Sequence, residues 1–198
     1  VEALAHLTKG LELLKTLPDT PERVPQELSL QLALGNSLMT TKGYAAPEVE
    51  TVYDRARDLC RQVGETPQLV PVLWGLIAFY GMSKKVQHAR ALGEQLLRLA
   101  ERIQDPATLL IAHRAQGSLL YWLGDLTTAH AHLKQGVALY NRQQHHALAS
   151  LYVTDPGVHC LSYEAAVLWH LGYPAQALKK TDEALTLAQE LSHPPSLV

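Results

Sequence analysis

The sequence predicts an all-α fold, a right-handed α-solenoid of helical hairpins with about nine helices. Apolar residues recur at helical spacing along almost all of the 198 residues, and no sustained alternation of apolar and polar residues indicates a strand. Small residues also repeat at a fixed spacing: Gly117 and Ala129 are 12 residues apart, and so are Ala165 and Ala177. Two helices that pack back to back need small residues where their axes come closest, so this spacing predicts hairpins.

A leading helix is expected over residues 1–17, where leucines recur along one helical face. Pro18 ends it, because proline is not tolerated in a helix interior. The sequence around Gly10 resembles that around Gly136, which belongs to a later second helix. We therefore interpret the leading helix as the second helix of a hairpin whose first helix is missing, and the chain as a fragment of a longer protein.

Four hairpins are expected to follow, with turn residues at their ends. Pro25 suits the first turn of the next helix, and Gly64 is a plausible C-cap for the helix after it. Asp105 and Pro106 are typical of an N-cap followed by the first helical residue. Gly124 marks a turn. The predicted hairpins cover residues 25–64, 67–104, 106–141 and 157–191 of a single domain, residues 1–198.

The hairpins repeat about every 40 residues. Equivalent positions of the second helices are separated by 40, 40 and 48 residues, and those of the first helices by 40, 42 and 48. The longer last interval matches an irregular insert, residues 142–156. Residues 145–153 are expected to form a helical turn or two, which Asp155-Pro156-Gly157 ends before a helix from about Val158. The positions are Ala56, Leu96, Gly136 and Ala184 in second helices, and Gly35, Gly75, Gly117 and Ala165 in first helices.

The composition argues against nucleic acid and membrane as partners. Charged residues make up 18% of the chain and the net charge is −2, so there is no basic footprint for phosphates or anionic lipid. The apolar run from Leu69 to Tyr80 is too short to span a bilayer. Cys60 and Cys160 lie 100 residues apart without zinc-ligand spacing, which favours two buried thiols and a cytoplasmic location.

Motifs that would indicate catalysis or a cofactor do not occur in the sequence. There is no Gly-x-x-x-x-Gly-Lys-Ser/Thr phosphate loop, no His-Glu-x-x-His and no Gly-x-Ser-x-Gly. Ten histidines are present, but a zinc site needs three or four converging ligands and the spacings do not supply them. We expect no catalytic residues, no metal and no cofactor, although an active site assembled from distant residues stays open.

The repeated positions resemble the tetratricopeptide repeat family. Gly117, Ala129, Leu133 and Gly136 match its signature of small and large apolar residues, whereas Thr181 departs from it at the large apolar position. The long repeats, and stretches such as Asp155-Pro156-Gly157-Val158, resemble the C-terminal tails of large bacterial signalling proteins. In those proteins, a nucleotide cyclase or kinase-like module and a signal-transduction ATPase module precede the repeats.

The resemblance implies a concave face lined by the first helix of each hairpin. Aromatic side chains and arginine are common anchors in protein interfaces, and Arg114 beside Tyr121 could clamp a carboxylate or stack on an aromatic ring. Phe79 and Trp122 are the groove candidates most expected to pack in the core instead. The predicted groove residues are Asn36, Met39, Phe79, Tyr80, Arg114, Ser118, Tyr121, Trp122, Trp169 and His170.

These expectations lead to a non-catalytic role. We expect a protein-interaction or intramolecular regulatory module of a larger bacterial signalling protein, which binds a peptide, a helix or a neighbouring domain in its concave face. One alternative is self-association through exposed terminal hairpins. Another is a small-molecule sensor whose pocket is enclosed by Tyr80, Arg114, Tyr121 and Trp122.

Overall fold

The computed structural model describes residues 2–18, 20, 22–63 and 67–196, and its regular structure within these ranges is entirely helical. There are ten α-helices in the described ranges, rather than about nine, because the insert contains a short helix of its own. None of the helices in this part of the chain is both long and apolar enough to cross a membrane. The helices are α1 Glu2–Thr16, α2 Arg23–Lys42, α3 Pro47–Val63, α4 Leu69–Met82, α5 Val86–Ile103, α6 Pro106–Trp122, α7 Leu126–Leu139, α8 Arg142–His145, α9 Pro156–His170 and α10 Pro174–Leu191.

Aspartate caps begin several of these helices. The Asp105 carboxylate accepts a hydrogen bond of 2.8 Å from the Thr108 amide, which confirms the N-cap predicted before Pro106. The Asp155 carboxylate accepts hydrogen bonds from the amides of Gly157 and Val158. The Asp155-Pro156-Gly157 motif therefore separates the helical turns of the insert from α9, as expected, and α9 itself begins at Pro156, two residues before the predicted start at Val158. The C-cap predicted at residue 64 lies outside the described residues.

The chain divides into two compact units, Val1–Ala89 and Arg90–Val198. In the first unit α1 packs on α2, α2 on α3, and α4 on both α2 and α3. Tyr53 of α3 lies between Gly35 of α2 and Gly75 of α4. A Cβ atom added to Gly35 would lie 2.5 Å from the Tyr53 ring, and one added to Gly75 would lie 2.1 Å from it. The two glycines thus let both first helices approach the same ring.

In the second unit α6 packs on α7, α9 packs on α10, and α9 also packs on α6 and α7. Leu133 of α7 packs against Gly117 of α6, where an added Cβ would lie 2.6 Å from the leucine Cγ. This is the contact that the small-residue spacing predicts. Cys160 of α9 lies against Gly136 in the same way, 2.7 Å from the position of an added Cβ. The buried core cluster here is Leu110, Ala129, Leu133, Cys160 and Val167.

The insert of residues 142–156 is ordered and contains short helical turns, as expected for residues 145–153. After α8 it continues as a 3-10 helix, His146–Ser150, and then turns into the Asp155 cap of α9. His145 and Tyr152 of the insert are buried, with 4% and 3% of their surfaces exposed. The Tyr140 hydroxyl donates a hydrogen bond of 3.0 Å to the buried Asp155 carboxylate. The insert therefore contributes to the core of the second unit.

Candidate functional site

The predicted groove residues divide between the interior and the surface. Met39, Phe79 and Arg114 are 2%, 3% and 1% exposed, so they do not lie on an open surface. Trp122 is 61% exposed, and the expectation that it packs in the core is wrong, whereas the same expectation for Phe79 is confirmed. Of the others, Tyr80 is buried, Asn36, Ser118 and Tyr121 are half-buried, and Trp169 and His170 are exposed.

Two half-buried groove candidates make hydrogen bonds within their own unit. Asn36 accepts a hydrogen bond of 3.1 Å from the Tyr53 hydroxyl, which links α2 to α3. The Ser118 hydroxyl donates to the backbone carbonyl of Arg114, one turn earlier on α6. Both polar groups are thus satisfied by the fold itself.

Arg114 fastens the insert to α6. Its Nη2 donates to the Tyr152 carbonyl at 3.2 Å and to the Thr154 hydroxyl at 2.8 Å, and its Nη1 donates to the Thr154 carbonyl at 3.4 Å. The guanidinium carbon also lies 6.0 Å from the centroid of the Tyr152 ring. Because the guanidinium is buried and bound to the chain itself, Arg114 does not present the exposed carboxylate clamp that the sequence suggested.

His159 connects Arg114 to the aromatic residues of α9. Its Nδ1 lies 3.4 Å from Arg114 Nη2, and an arginine can only donate, so this arrangement assigns the imidazole proton to Nε2. The imidazole stacks on the Tyr163 ring, with 4.5 Å between centroids and 22° between planes. Burial, helped by the nearby guanidinium charge, lowers the pKa of His159 well below its ordinary value. His159 is therefore neutral at physiological pH.

Four side chains of α6 and α9 form an aromatic cluster: Tyr121, Trp122, Tyr163 and His170. The Trp122 indole donates a hydrogen bond of 3.1 Å to the Tyr163 hydroxyl. The Tyr121 ring contacts the other three rings edge-on, at centroid distances of 5.2, 5.5 and 5.6 Å. The aromatic cluster thus fixes the orientation of an indole whose surface is mostly exposed.

Three of these four residues were predicted, and Tyr163 was missed. A sequence signal for it exists, because Tyr163 precedes His170 by seven residues, about two helical turns, and so lies on the same face of α9. Trp169, the other predicted residue of α9, is 65% exposed.

A buried carboxylate links three helices of the second unit. Glu164 of α9 is 4% exposed, and its carboxylate oxygens lie 3.3 Å from His130 Nε2 on α7 and 3.6 Å from Lys180 Nζ on α10. Lys180 also pairs with Glu183 at 3.0 Å. Burial opposes the charge of Lys180, but the contacts with Glu183 and Glu164 outweigh it and raise the pKa of the lysine. The sequence did not indicate this ion network.

A histidine pair joins α6 to α7. The Nδ1 atoms of His113 and His132 lie 2.9 Å apart, and the ring centroids are 5.2 Å apart. Burial lowers the pKa of both imidazoles, and His132 lowers that of His113 further. The short distance between the two Nδ1 atoms fits a shared N–H···N hydrogen bond. In the described part of the chain, no group of three or more His, Cys, Asp or Glu side chains is placed to hold a metal ion.

Comparisons with known proteins supply no family for this arrangement: no protein-family model matches the chain, and no curated protein matches it significantly. A functional argument therefore starts from the aromatic cluster and its surroundings.

Proposed function

We propose that this chain is a non-catalytic protein-interaction or intramolecular regulatory module, part of a larger cytoplasmic bacterial signalling protein. Its helices would form a solenoid of tetratricopeptide-like hairpins. Two observations support this interpretation: the consecutive helices α2–α3, α6–α7 and α9–α10 pack on each other, and small residues meet a large side chain of the second helix at Gly35–Tyr53 and Gly117–Leu133. Stacked hairpins of this kind present extended faces for binding other proteins.

The exposed indole of Trp122 carries the proposal. Indole and phenol rings bury large areas at low cost in conformational entropy, and they dominate the binding energy of many protein interfaces. Trp122 is 61% exposed, yet its hydrogen bond to Tyr163 and its edge contact with Tyr121 restrict its orientation before any partner arrives. An anchor that is already ordered loses less entropy on binding. The partner would be a peptide, a helix or a neighbouring domain that packs an apolar side chain on this indole.

The same geometry argues against the small-molecule sensor. That hypothesis needs Arg114 and Trp122 to enclose a ligand with Tyr80 and Tyr121. Arg114 instead donates its hydrogen bonds to Tyr152 and Thr154, and most of the Trp122 surface is open. An exposed aromatic surface suits a macromolecular partner better than an enclosed small ligand.

Peptide selection tests the proposal even though the partner is unidentified. A library of random peptides displayed on phage is panned on the chain, and the affinity of each selected peptide is measured by fluorescence anisotropy. We expect Trp122→Ala to weaken binding at least tenfold, because it removes the anchor. Leu13→Ala is the matched control, since Leu13 is a similarly exposed apolar residue, at 56%, on α1 of the other unit.

Circular dichroism should show equal helicity for both variants, because neither side chain is buried. If the selected peptides bind Trp122→Ala as tightly as the wild type, the aromatic cluster is not the binding site and the proposal loses its main support.

A further inference from the structure

A second surface of the second unit, on α9 and α10, contains an open pocket of about 300 Å³. Its rim is accessible: Leu185 is 51% exposed, and Ser162 and Thr181 are also exposed. Two large apolar side chains of the same two helices, Leu178 and Trp169, are 64% and 65% exposed. The pocket is lined by Val158, Ser162, Thr181, Ala184, Leu185, Ala188 and Ser196.

The molecule contains a filled counterpart of this pocket. The last repeat interval of the chain is 48 residues. Six of the seven lining residues each have an equivalent residue 48 positions earlier. Five of the equivalents belong to the packing around Cys160 of α9: Gly136 lies directly against its thiol, Leu110 and Leu133 share its core cluster, and Val137 and Tyr140 pack against that cluster. In the order of the lining residues from 158 to 188, the equivalents are Leu110, Arg114, Leu133, Gly136, Val137 and Tyr140.

We propose that the pocket on α9 and α10 binds an amphipathic helix of a partner protein, which docks as α9 docks on α6 and α7. The counterpart is covered by a helix, and the side chain that fills it is the cysteine of that helix. Four lining residues of the open pocket are smaller than their equivalents: Val158 replaces Leu110, Ser162 replaces Arg114, Thr181 replaces Leu133 and Ala188 replaces Tyr140. Ala184 and Leu185 are larger than Gly136 and Val137 by one methyl or methylene group each, so the net change is a loss of volume. The side chain that fills it is therefore larger than cysteine, namely leucine, methionine or phenylalanine.

The neighbouring positions define the rest of the helix. Glu164, four residues after Cys160, lies against His130 of α7. The residue equivalent to His130 on α10 is the exposed Leu178. The partner residue four positions after the one that fills the pocket is therefore apolar. Tyr163, three residues after Cys160, packs on Tyr121 of α6. The residue equivalent to Tyr121 on α9 is the exposed Trp169. The partner residue three positions after the pocket residue is therefore apolar or aromatic. The helix carries large apolar side chains at positions i, i+3 and i+4, which form one face.

This surface is separate from the Trp122 indole, so either proposal can fail while the other stands. A peptide with the sequence of residues 156–171, changed by Cys160→Leu and Glu164→Leu, reproduces the expected face. A lactam bridge between two solvent-facing positions keeps it helical, as circular dichroism of the peptide verifies. Its binding to the full chain is measured by fluorescence anisotropy.

We expect saturable binding that Leu185→Glu weakens at least tenfold, because a carboxylate would enter the apolar rim. Gln176→Glu is the matched control: Gln176 is exposed and lies nine residues, roughly two and a half turns, before Leu185, on the opposite side of α10. Affinity should be unchanged for this control and for Trp122→Ala.

Three results would overturn the proposal. The helical peptide could show no saturable binding, or it could bind Leu185→Glu as tightly as the wild type. Light scattering could also show that the chain is a dimer and that Leu185→Glu is a monomer, in which case a second copy of the chain covers this face.

Discussion

Replacing Arg114 by methionine should detach the insert from α6 and strongly destabilise the second unit. Methionine keeps most of the aliphatic stem, so little volume is lost. The guanidinium hydrogen bonds to the Tyr152 carbonyl and to Thr154 disappear, and the buried carbonyl is left without this donor. A hydrogen bond to a charged group contributes about 1.5–3 kcal/mol, and a buried acceptor left unsatisfied costs about 1–3 kcal/mol.

We therefore expect Arg114→Met to lower the free energy of unfolding by about 1.5–3 kcal/mol, measured by urea denaturation with circular dichroism. Amide hydrogen exchange should also accelerate in the insert, for example at Tyr152, whose amide donates to the Leu148 carbonyl. Thr154→Val, which removes only the hydroxyl acceptor, should cost about 1 kcal/mol.

The control is Arg90→Met, at an exposed arginine whose ion pair with Glu94 spans 3.6 Å and contributes at most about 0.5 kcal/mol. A loss below about 1 kcal/mol for Arg114→Met, with unchanged exchange in the insert, would refute the assignment of Arg114 as the residue that fastens the insert.

Two further predictions concern titration and packing. Because burial lowers the folded-state pKa of His113 and His132, the unfolded chain binds more protons, so stability present above about pH 6.5 should fall on acidification. Urea denaturation at pH 7.5 and 5.0 measures this loss, which should shrink in His132→Gln; an unchanged loss would contradict the role of the pair. Gly75→Ala should cost about 1–3 kcal/mol, since its Cβ would lie 2.1 Å from the Tyr53 ring. Gly81→Ala, on the same helix with nothing within 4 Å, should instead stabilise by up to about 1 kcal/mol, and equal effects would contradict the packing argument.

The packing of α2 on α3 and of α6 on α7 could be predicted from the sequence because their contacts are periodic. A small residue in the first helix and a large one 16 or 18 residues later, as at Gly117–Leu133 and Gly35–Tyr53, mark the closest approach of two helices. The N-cap at Asp105 was predictable for a similar reason, since its hydrogen bond is local. The Asp155 cap was not predicted, because its motif combines turn-forming residues with helix-starting ones.

The site was predictable only in part. Tyr121, Trp122 and His170 lie at repeat positions, and the structure brings their rings together. The burial of Arg114 had no local signal, because its acceptors Tyr152 and Thr154 lie 38 and 40 residues later, in a stretch without periodicity. Long-range hydrogen bonds to irregular backbone leave no pattern from which their partners can be deduced.

The position of Cys160 makes the chain a natural reporter of its own fluctuations. Burial raises the pKa of this thiol to about 12, and Cys60 is buried as well, so neither cysteine should react with alkylating reagents in the closed state at neutral pH. Any slow modification of Cys160 would therefore report the transient separation of α9 from Gly136. The rate of thiol labelling, followed by mass spectrometry, would measure how often the second unit opens locally at α9, with no engineered probe.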